Sequence, residues 1–112
     1  MAGAQEDITG QWYSEDSTRV YYISSRGDKY EGILEITKRD NENTGVLVLT
    51  DLRFNKKRKR YCGNIHAVSD GLTTRVKIRI NRDRTILELR LARMLILPVK
   101  IKWYRKSAHF VH

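Results

Sequence analysis

The sequence is poor in the residues that cross-link or stiffen small proteins. Its 112 residues include one cysteine and one proline, which excludes an intramolecular disulfide and leaves the redox compartment open. No apolar run exceeds four residues, the length of 94–97, which is far too short to span a bilayer as a helix. Residues 1–5 have neither the charged start nor the apolar core of a signal peptide. A cytoplasmic protein and a processed exported protein both fit these features.

The patterns expected of catalytic and metal sites are also missing from the sequence. Cys62 and His66 would lie on one strand face about 13 Å apart, too far to share a zinc ion or to form a nucleophile pair. Glu31 and Glu35 are predicted to face solvent and form no acid/base pair. We therefore expect no catalytic residue, no metal, no cofactor and no enzymatic activity.

Alternation of apolar and charged residues is the strongest positive signal. The stretch 72–105 contains three segments in which every second residue is apolar, and the intervening residues are mostly charged: 75–80, 86–91 and 99–104. A period of two is typical of half-buried β-strands with one dry face and one wet face. A slip by one residue would bury Arg75, Lys77 and Arg79, so the faces are well determined.

Turn chemistry predicts the register of the first hairpin in this stretch. A two-residue turn at 82–83 would place Ile78 opposite Leu87 on the dry face. It would also place Lys77 opposite Glu88 on the wet face, where an opposite-charge pair adds a few tenths of a kcal/mol.

The rest of the chain continues the same pattern. Further strands are predicted at 8–14, 18–24, 30–38, 46–54 and 61–69, separated by polar turns, and the apolar connection 92–98 is expected to pack across one end of the sheet. Eight short antiparallel strands fit a barrel or a sandwich. We predict a single all-β domain over 1–112, an up-and-down antiparallel barrel of about eight strands, with loose tails at 1–6 and 107–112.

The strand faces identify candidate interior residues. The predicted inward set is Trp12, Leu34, Ile36, Ile65, Val76, Ile78, Leu87, Leu89, Ile101 and Trp103. The candidates for lining a ligand cavity are Trp12, Tyr22, Leu34, Ile65, Ile78, Leu89 and Trp103. A barrel of eight strands holds one small ligand or is filled by its own side chains, and the sequence leaves both outcomes open.

Positive charge suggests a second kind of function. The net charge is +9, which favours association with anions but says nothing about the fold. Five consecutive cations, Lys56, Lys57, Arg58, Lys59 and Arg60, are predicted at a hairpin tip, where they are either solvated or in contact with a polyanion. The aromatics Tyr13, Tyr21, Tyr22 and Tyr30 would stack nucleic-acid bases only if they lay beside the cations, which are mainly on later strands.

A family resemblance adds to this interpretation. Gly10-Gln11-Trp12 at the start, with Trp103-Tyr104-Arg105 at the end, resembles the closure signature of lipocalin-like (calycin) barrels. With Tyr61-Cys62-Gly63-Asn64-Ile65 and the turn Asp70-Gly71, the run 10–105 resembles a family of small exported bacterial proteins, domain of unknown function 2147. The chain departs from that family at Asn64 and at 91–94, where the family has glycines.

The resemblance implies a lipocalin-like barrel closed by Gly10, Trp12 and Arg105, and an exported or periplasmic location. We expect a monomeric, non-catalytic protein that binds a small apolar ligand or a component of the cell envelope. The alternative is a basic barrel that binds nucleic acid or another polyanion through its cationic face.

Overall fold

The computed structural model describes residues 7–68, 71–92 and 99–106. Eight strands occupy these ranges: β1 (Gly10–Ser14), β2 (Arg19–Arg26), β3 (Lys29–Thr37), β4 (Leu47–Asn55), β5 (Arg60–His66), β6 (Thr73–Ile80), β7 (Ile86–Leu91) and β8 (Val99–Arg105). The predicted tails and most of the apolar connection 92–98 lie outside the described residues. No helix within the described ranges is long and apolar enough to cross a membrane.

The strands form a closed barrel in which each pairs with its neighbours in sequence and β1 pairs with β8. All pairs are antiparallel, which confirms the predicted up-and-down barrel and excludes the sandwich. We call the end where β1, β3, β5 and β7 begin the lower end, and the opposite end the upper end. The tight hairpin turns 27–28, 56–59 and 81–85 belong to the lower end.

The core fills the inside of the barrel. Its buried side chains come from all eight strands and from Ile8 just before β1, and they pack as a single hydrophobic cluster. No buried residue among those described is polar or charged. Alternation along the strands produces this segregation, because successive side chains point to opposite faces of the sheet.

The register of the β6–β7 hairpin differs from the prediction by two residues. Ile78 pairs with Leu89 rather than with Leu87, and Lys77 lies opposite Arg90 rather than Glu88. The turn is longer than two residues because the Asn81 side chain accepts hydrogen bonds from the backbone N–H groups of residues 85 and 86, at 2.8 and 2.9 Å. The predicted Lys77–Glu88 pair is therefore wrong, and Glu88 pairs with a cation of β8 instead, as described below.

A β-bulge corrects the predicted orientation of Ile36. Val20 pairs with Ile36 while Tyr21 pairs with Leu34, so Glu35 is an extra residue on β3. The extra residue reverses the side-chain alternation beyond Leu34. Ile36 is consequently on the outer face, 46% exposed, and not in the interior.

A second irregularity explains why a glycine lies in the middle of β5. The pairing of β4 with β5 shifts between Thr50 and Arg53, and Asp51 has a φ of 52°. A Cβ on Gly63 would lie 2.7 Å from the Leu52 Cα and 2.8 Å from the Thr50 carbonyl oxygen. Glycine is required there because the bent β4 backbone approaches β5 too closely for any side chain.

Candidate functional site

Closure of the barrel depends on a contact between its first and last strands. Trp12 is paired in register with Arg105, and the Arg105 guanidinium carbon lies 4.3 Å from the centre of the Trp12 ring. Burial lowers the pKa of Arg105 below its ordinary value. The structure thus brings the predicted closure residues Trp12 and Arg105 together, and their contact has the geometry of a cation–π interaction.

Arg105 also ties the chain together at the lower end. Its Nε donates to the Arg84 carbonyl at 2.8 Å, Nη1 to the Thr9 carbonyl at 3.0 Å, and Nη2 to the Asp7 carbonyl at 3.0 Å. Gly10 has a φ of 116°, where a side chain would be strained, and a Cβ there would lie 3.5 Å from Nη1. The planar guanidinium thus joins the segment before β1, the β6–β7 turn and the end of β8.

Aromatic rings fill the lower end of the interior. The Tyr61 ring lies 5.3 Å from the Tyr30 ring and 4.9 Å from the Phe54 ring, measured between centroids. Beside them the Trp12 indole N–H donates to the Ile8 carbonyl at 2.9 Å, and both residues are fully buried. These rings form the aromatic part of the core, with Tyr61 buried and Tyr30 and Phe54 partly buried.

The middle of the barrel is filled by aliphatic side chains. Six of them have no accessible surface at all: Leu34, Leu49, Leu52, Ile78, Leu87 and Leu89. No space large enough for a water molecule therefore adjoins these side chains. Of the two outcomes left open for the interior, the described middle of the barrel shows packing rather than a cavity.

The inward side chains at the upper end are also apolar but less enclosed. Ile65 is 6% exposed, and Leu91, Val99 and Ile101 are only partly buried. Beneath them Tyr21 stacks on Trp103 with ring centroids 3.9 Å apart, and burial raises the pKa of the Tyr21 hydroxyl. Among the cavity candidates, Ile65 is therefore nearest to an accessible apolar surface, whereas Trp12, Leu34, Ile78, Leu89 and Trp103 lie deeper.

One cavity candidate is placed wrongly by the sequence interpretation. Tyr22 is 40% exposed on the outer face, in register with Gln11 and Ile33. The stretch 20–23 is entirely apolar, so alternation alone could not show which side chains turn inward. The structure places Tyr21 and Ile23 in the core, and Tyr22 cannot line the interior.

An ionic network holds the upper rim. Arg19 forms a bidentate ion pair with Glu42. The Glu42 carboxylate also accepts a hydrogen bond from the Thr37 hydroxyl at 2.7 Å. The hydrogen bond from Arg19 lowers the pKa of Glu42 to about 2. A second pair, Arg39 with Asp16 at 2.9 Å, joins the β1–β2 and β3–β4 connections. These pairs fix two of the connections that border the upper opening.

Cations dominate the outer face of the later strands. Seven exposed Lys and Arg side chains of β4, β6, β7 and β8 form what we call the cationic wall: Arg53, Arg75, Lys77, Arg79, Arg90, Lys100 and Lys102. Strands β5 to β8 contain a single carboxylate, Glu88, and it pairs with Lys100 at 3.7 Å. In sequence, residues 56–112 contain 16 cations and 3 acids, whereas residues 1–55 contain 6 cations and 10 acids.

The basic run Lys56–Arg60 lies where the sequence predicts. Residues 56–59 are exposed at the tip of the β4–β5 hairpin, and Arg60 begins β5. The Asn55 side chain accepts from the Arg58 backbone N–H at 3.0 Å, which shapes the turn. The tip lies below the cationic wall and extends its positive charge to the lower end.

Cys62 and His66 do not form a site. Both lie on the outer face of β5, and the His66 ring nitrogens lie 2.9 Å from the Thr50 hydroxyl and 2.7 Å from the Thr73 hydroxyl. Within the described ranges no group of His, Cys, Asp and Glu is placed to hold a metal ion. His109 and His112 lie outside those ranges.

The closed eight-stranded barrel, with a buried tryptophan on its first strand beneath an arginine from its last, is a lipocalin-like fold. Among solved structures the chain is similar to protein HP1028 from the human pathogen Helicobacter pylori, which belongs to the lipocalin family. The TM-score is 0.77 at 15% sequence identity, over 94% of this chain and 86% of that one. This similarity shows the fold alone. Neither a protein-family model nor a curated protein matches the chain.

Proposed function

We propose that this protein is a non-catalytic, lipocalin-like barrel that binds a small apolar ligand at its upper end. One observation carries the proposal: the inward side chains at that end are apolar and incompletely enclosed, and no described buried residue is polar. A ligand at this end would meet Ile65, Leu91, Val99 and Ile101. It would gain roughly 25 cal/mol for each Å² of apolar surface removed from water.

The packed middle of the barrel limits the size of such a ligand. The aliphatic side chains in the middle of the barrel, such as Leu34, Ile78 and Leu89, have no accessible surface, so the ligand would occupy a shallow seat and leave its polar end at the rim. A molecule with one apolar segment and one polar end, such as a fatty acid, fits this arrangement better than a large apolar ligand.

Titration with an environment-sensitive apolar dye tests the proposal. We expect saturable binding of the dye and its displacement by a fatty acid. Ile65→Phe should weaken dye binding because it fills the upper seat, whereas Ile36→Phe, on the exposed outer face, serves as the matched control. Val99→Phe provides a second variant at the seat if Ile65→Phe folds poorly. If no apolar probe binds saturably, the barrel is packed to its rim and the proposal fails.

Two finer points belong to the same proposal and rest on the sequence resemblance. They are membership of domain of unknown function 2147, supported by Gly10, Trp12, Gly63 and Arg105, and an exported or periplasmic location, with an envelope component as the alternative ligand. Fractionation of the native cells, followed by mass spectrometry of the intact purified protein, tests both the location and the retained ligand. Recovery from the cytoplasm would contradict export.

A second candidate function is the binding of nucleic acid or another polyanion. It is favoured by the separation of charge, with seven exposed cations on the wall and four more at the 56–59 tip. Binding of this kind weakens as a linear function of log[salt], with a slope set by the number of phosphates contacted. Replacing Lys57, Arg58 and Lys59 with Gln should reduce that slope by roughly two to three units if the tip contacts phosphates.

A further inference from the structure

We infer that the cationic wall binds a flexible phosphate-bearing chain, of the chemistry of single-stranded nucleic acid, which wraps around the outside of the barrel. This inference rests on the second candidate function and makes it specific. It places the contact on the wall rather than on the 56–59 tip. It also requires a partner flexible enough to follow the curved surface of the barrel.

Cations continue from strand to strand across the wall. One row of registered residues crosses five strands in succession: Arg53, Cys62, Lys77, Arg90 and Lys100. Neighbouring strands are about 4.8 Å apart, so the four cations are closely spaced, with a thiol at one position. The two end members pair with carboxylates, Arg53 with Asp28 and Lys100 with Glu88, each at 3.7 Å. Arg75 and Arg79 flank Lys77 along β6, about 6.6 Å away on either side.

Negative charge is scarce in the middle of this row. Within the described ranges no ion pair joins Lys77 or Arg90 to a carboxylate, and the two lie directly opposite each other. Like charges opposite each other destabilise a sheet. An anion bound between them would reduce this repulsion.

The row follows the curvature of the barrel, and this curvature bears on the class of partner. It covers five of the eight strands of a closed barrel. Because the strands are tilted to the barrel axis, a row perpendicular to them runs obliquely and turns the outward direction by roughly 100° in four steps. Arg53 and Lys100 therefore face different sides of the barrel. A flat bilayer or a DNA duplex, which stays stiff over about 150 base pairs, can touch only about three of these strands. A flexible single strand can follow the whole row.

Aromatic rings are few beside the cations. Tyr21 and Tyr30 face the core, and Tyr22 is on the outer face of the early strands, away from the wall. Two rings lie at the β8 edge of the wall: Tyr104 is in register with Tyr13 of β1, and the Lys106 ammonium is 6.0 Å from the Tyr13 ring centre. Since both rings are at one edge, recognition would run mainly through the phosphates, and affinity should depend little on base composition.

Fluorescence anisotropy with a labelled single strand of about 20 nucleotides tests the inference over a range of salt concentrations. The wall variant carries Lys77→Gln, Arg90→Gln and Lys100→Gln, all at exposed positions. The tip variant carries Lys57→Gln, Arg58→Gln and Lys59→Gln. The matched control removes the same charge elsewhere, with Arg26→Gln, Lys29→Gln and Lys38→Gln. Thermal unfolding checks that each variant is folded.

We expect the wall variant to reduce the slope of log K against log[salt] by about two units, since each phosphate of a single strand contributes roughly 0.7. The tip variant and the control should change it less. Inorganic polyphosphate should compete with the oligonucleotide if any flexible phosphate chain suffices. Failure of polyphosphate to compete, with the wall effect retained, would assign the site to nucleic acid.

Other outcomes overturn the inference without removing the second candidate function. Tighter binding of a duplex of equal length would show that flexibility is not required. Binding only to vesicles containing anionic lipid would make a bilayer the partner. An equal or larger loss in the tip variant would move the contact from the wall to the tip. If no polyanion binds in a salt-dependent manner, the inference and the second candidate function both fail.

Discussion

The contact between Trp12 and Arg105 should make the two residues energetically coupled, and a double-mutant cycle measures that coupling. Trp12 is fully buried, and Arg105 lies over its ring while donating three hydrogen bonds to backbone carbonyls. Three substitutions are needed: Trp12→Ala, Arg105→Ala and the pair together. Each single change removes the shared contact, so the second change has less left to remove.

The structure sets the expected magnitudes. Trp12→Ala should cost about 3–5 kcal/mol, the usual range for a large buried aromatic. Arg105→Ala should cost less, about 2 kcal/mol, because water can reach the carbonyls that lose its hydrogen bonds. The double mutant should be less destabilised than the sum by about 0.5–2 kcal/mol, the strength of a cation–π contact from exposed to desolvated settings.

Urea unfolding of the wild type and the three variants provides the free energies. A control cycle pairs Trp12→Ala with Arg90→Ala, which lies on the outer face and should be additive within about 0.3–0.5 kcal/mol. If Trp12→Ala does not fold, Trp12→Phe replaces it in both cycles. Additive losses for Trp12 and Arg105 would show that the two do not support each other, and this account of barrel closure would be refuted.

Two further predictions concern stability. Gly63→Ala should cost about 1–3 kcal/mol or more, since its Cβ would meet the β4 backbone. Gly32→Ala, whose nearest contact would be the Leu49 side chain at 3.1 Å, should cost less in the same urea assay. For Glu42, the lowered pKa means that its stabilising charge is present above 4.5 and lost as the pH falls to about 2. The stability difference between wild type and Glu42→Gln should shrink over that interval.

Each of these two predictions can be contradicted plainly. Equal losses for the Gly63 and Gly32 variants would mean that the close backbone approach between β4 and β5 is not the reason for the glycine. A difference between wild type and Glu42→Gln that stays constant from pH 4.5 to 2 would mean that the pair with Arg19 does not depress the pKa of Glu42 in solution.

Alternation in the sequence is enough to predict the strands and most of their faces. Burying Arg75, Lys77 or Arg79 would be costly, so the alternation of charged and apolar residues alone determines which face of β6 is buried. The terminal motif pair, Gly10 and Trp12 with Arg105, predicts closure because a sheet that ends beside its first strand has no free edge. The predictions of an apolar interior and a cationic outer face both depend on this alternation and on closure of the barrel.

The hairpin register required the tertiary structure. A shift of two residues keeps every side chain on its own face, so alternation cannot distinguish Ile78 opposite Leu87 from Ile78 opposite Leu89. The Asn81 side chain, by accepting two backbone N–H groups, stabilises the longer turn. The longer turn places Lys77 beside Arg90 and so completes the cationic row on which the proposed polyanion binding depends.

The positions of the β-bulges also required the tertiary structure. The extra residue at Glu35 turns Ile36 outward, and the shift in β4 brings its backbone against Gly63. In apolar stretches such as 20–23, several assignments of inward and outward faces bury similar surface, and only packing against the neighbouring strands selects one. The sequence by itself therefore determines the strands, their chemistry and the closure of the barrel. The tertiary structure decides which residues meet, because side-chain period is a local property and register is set by contacts across strands.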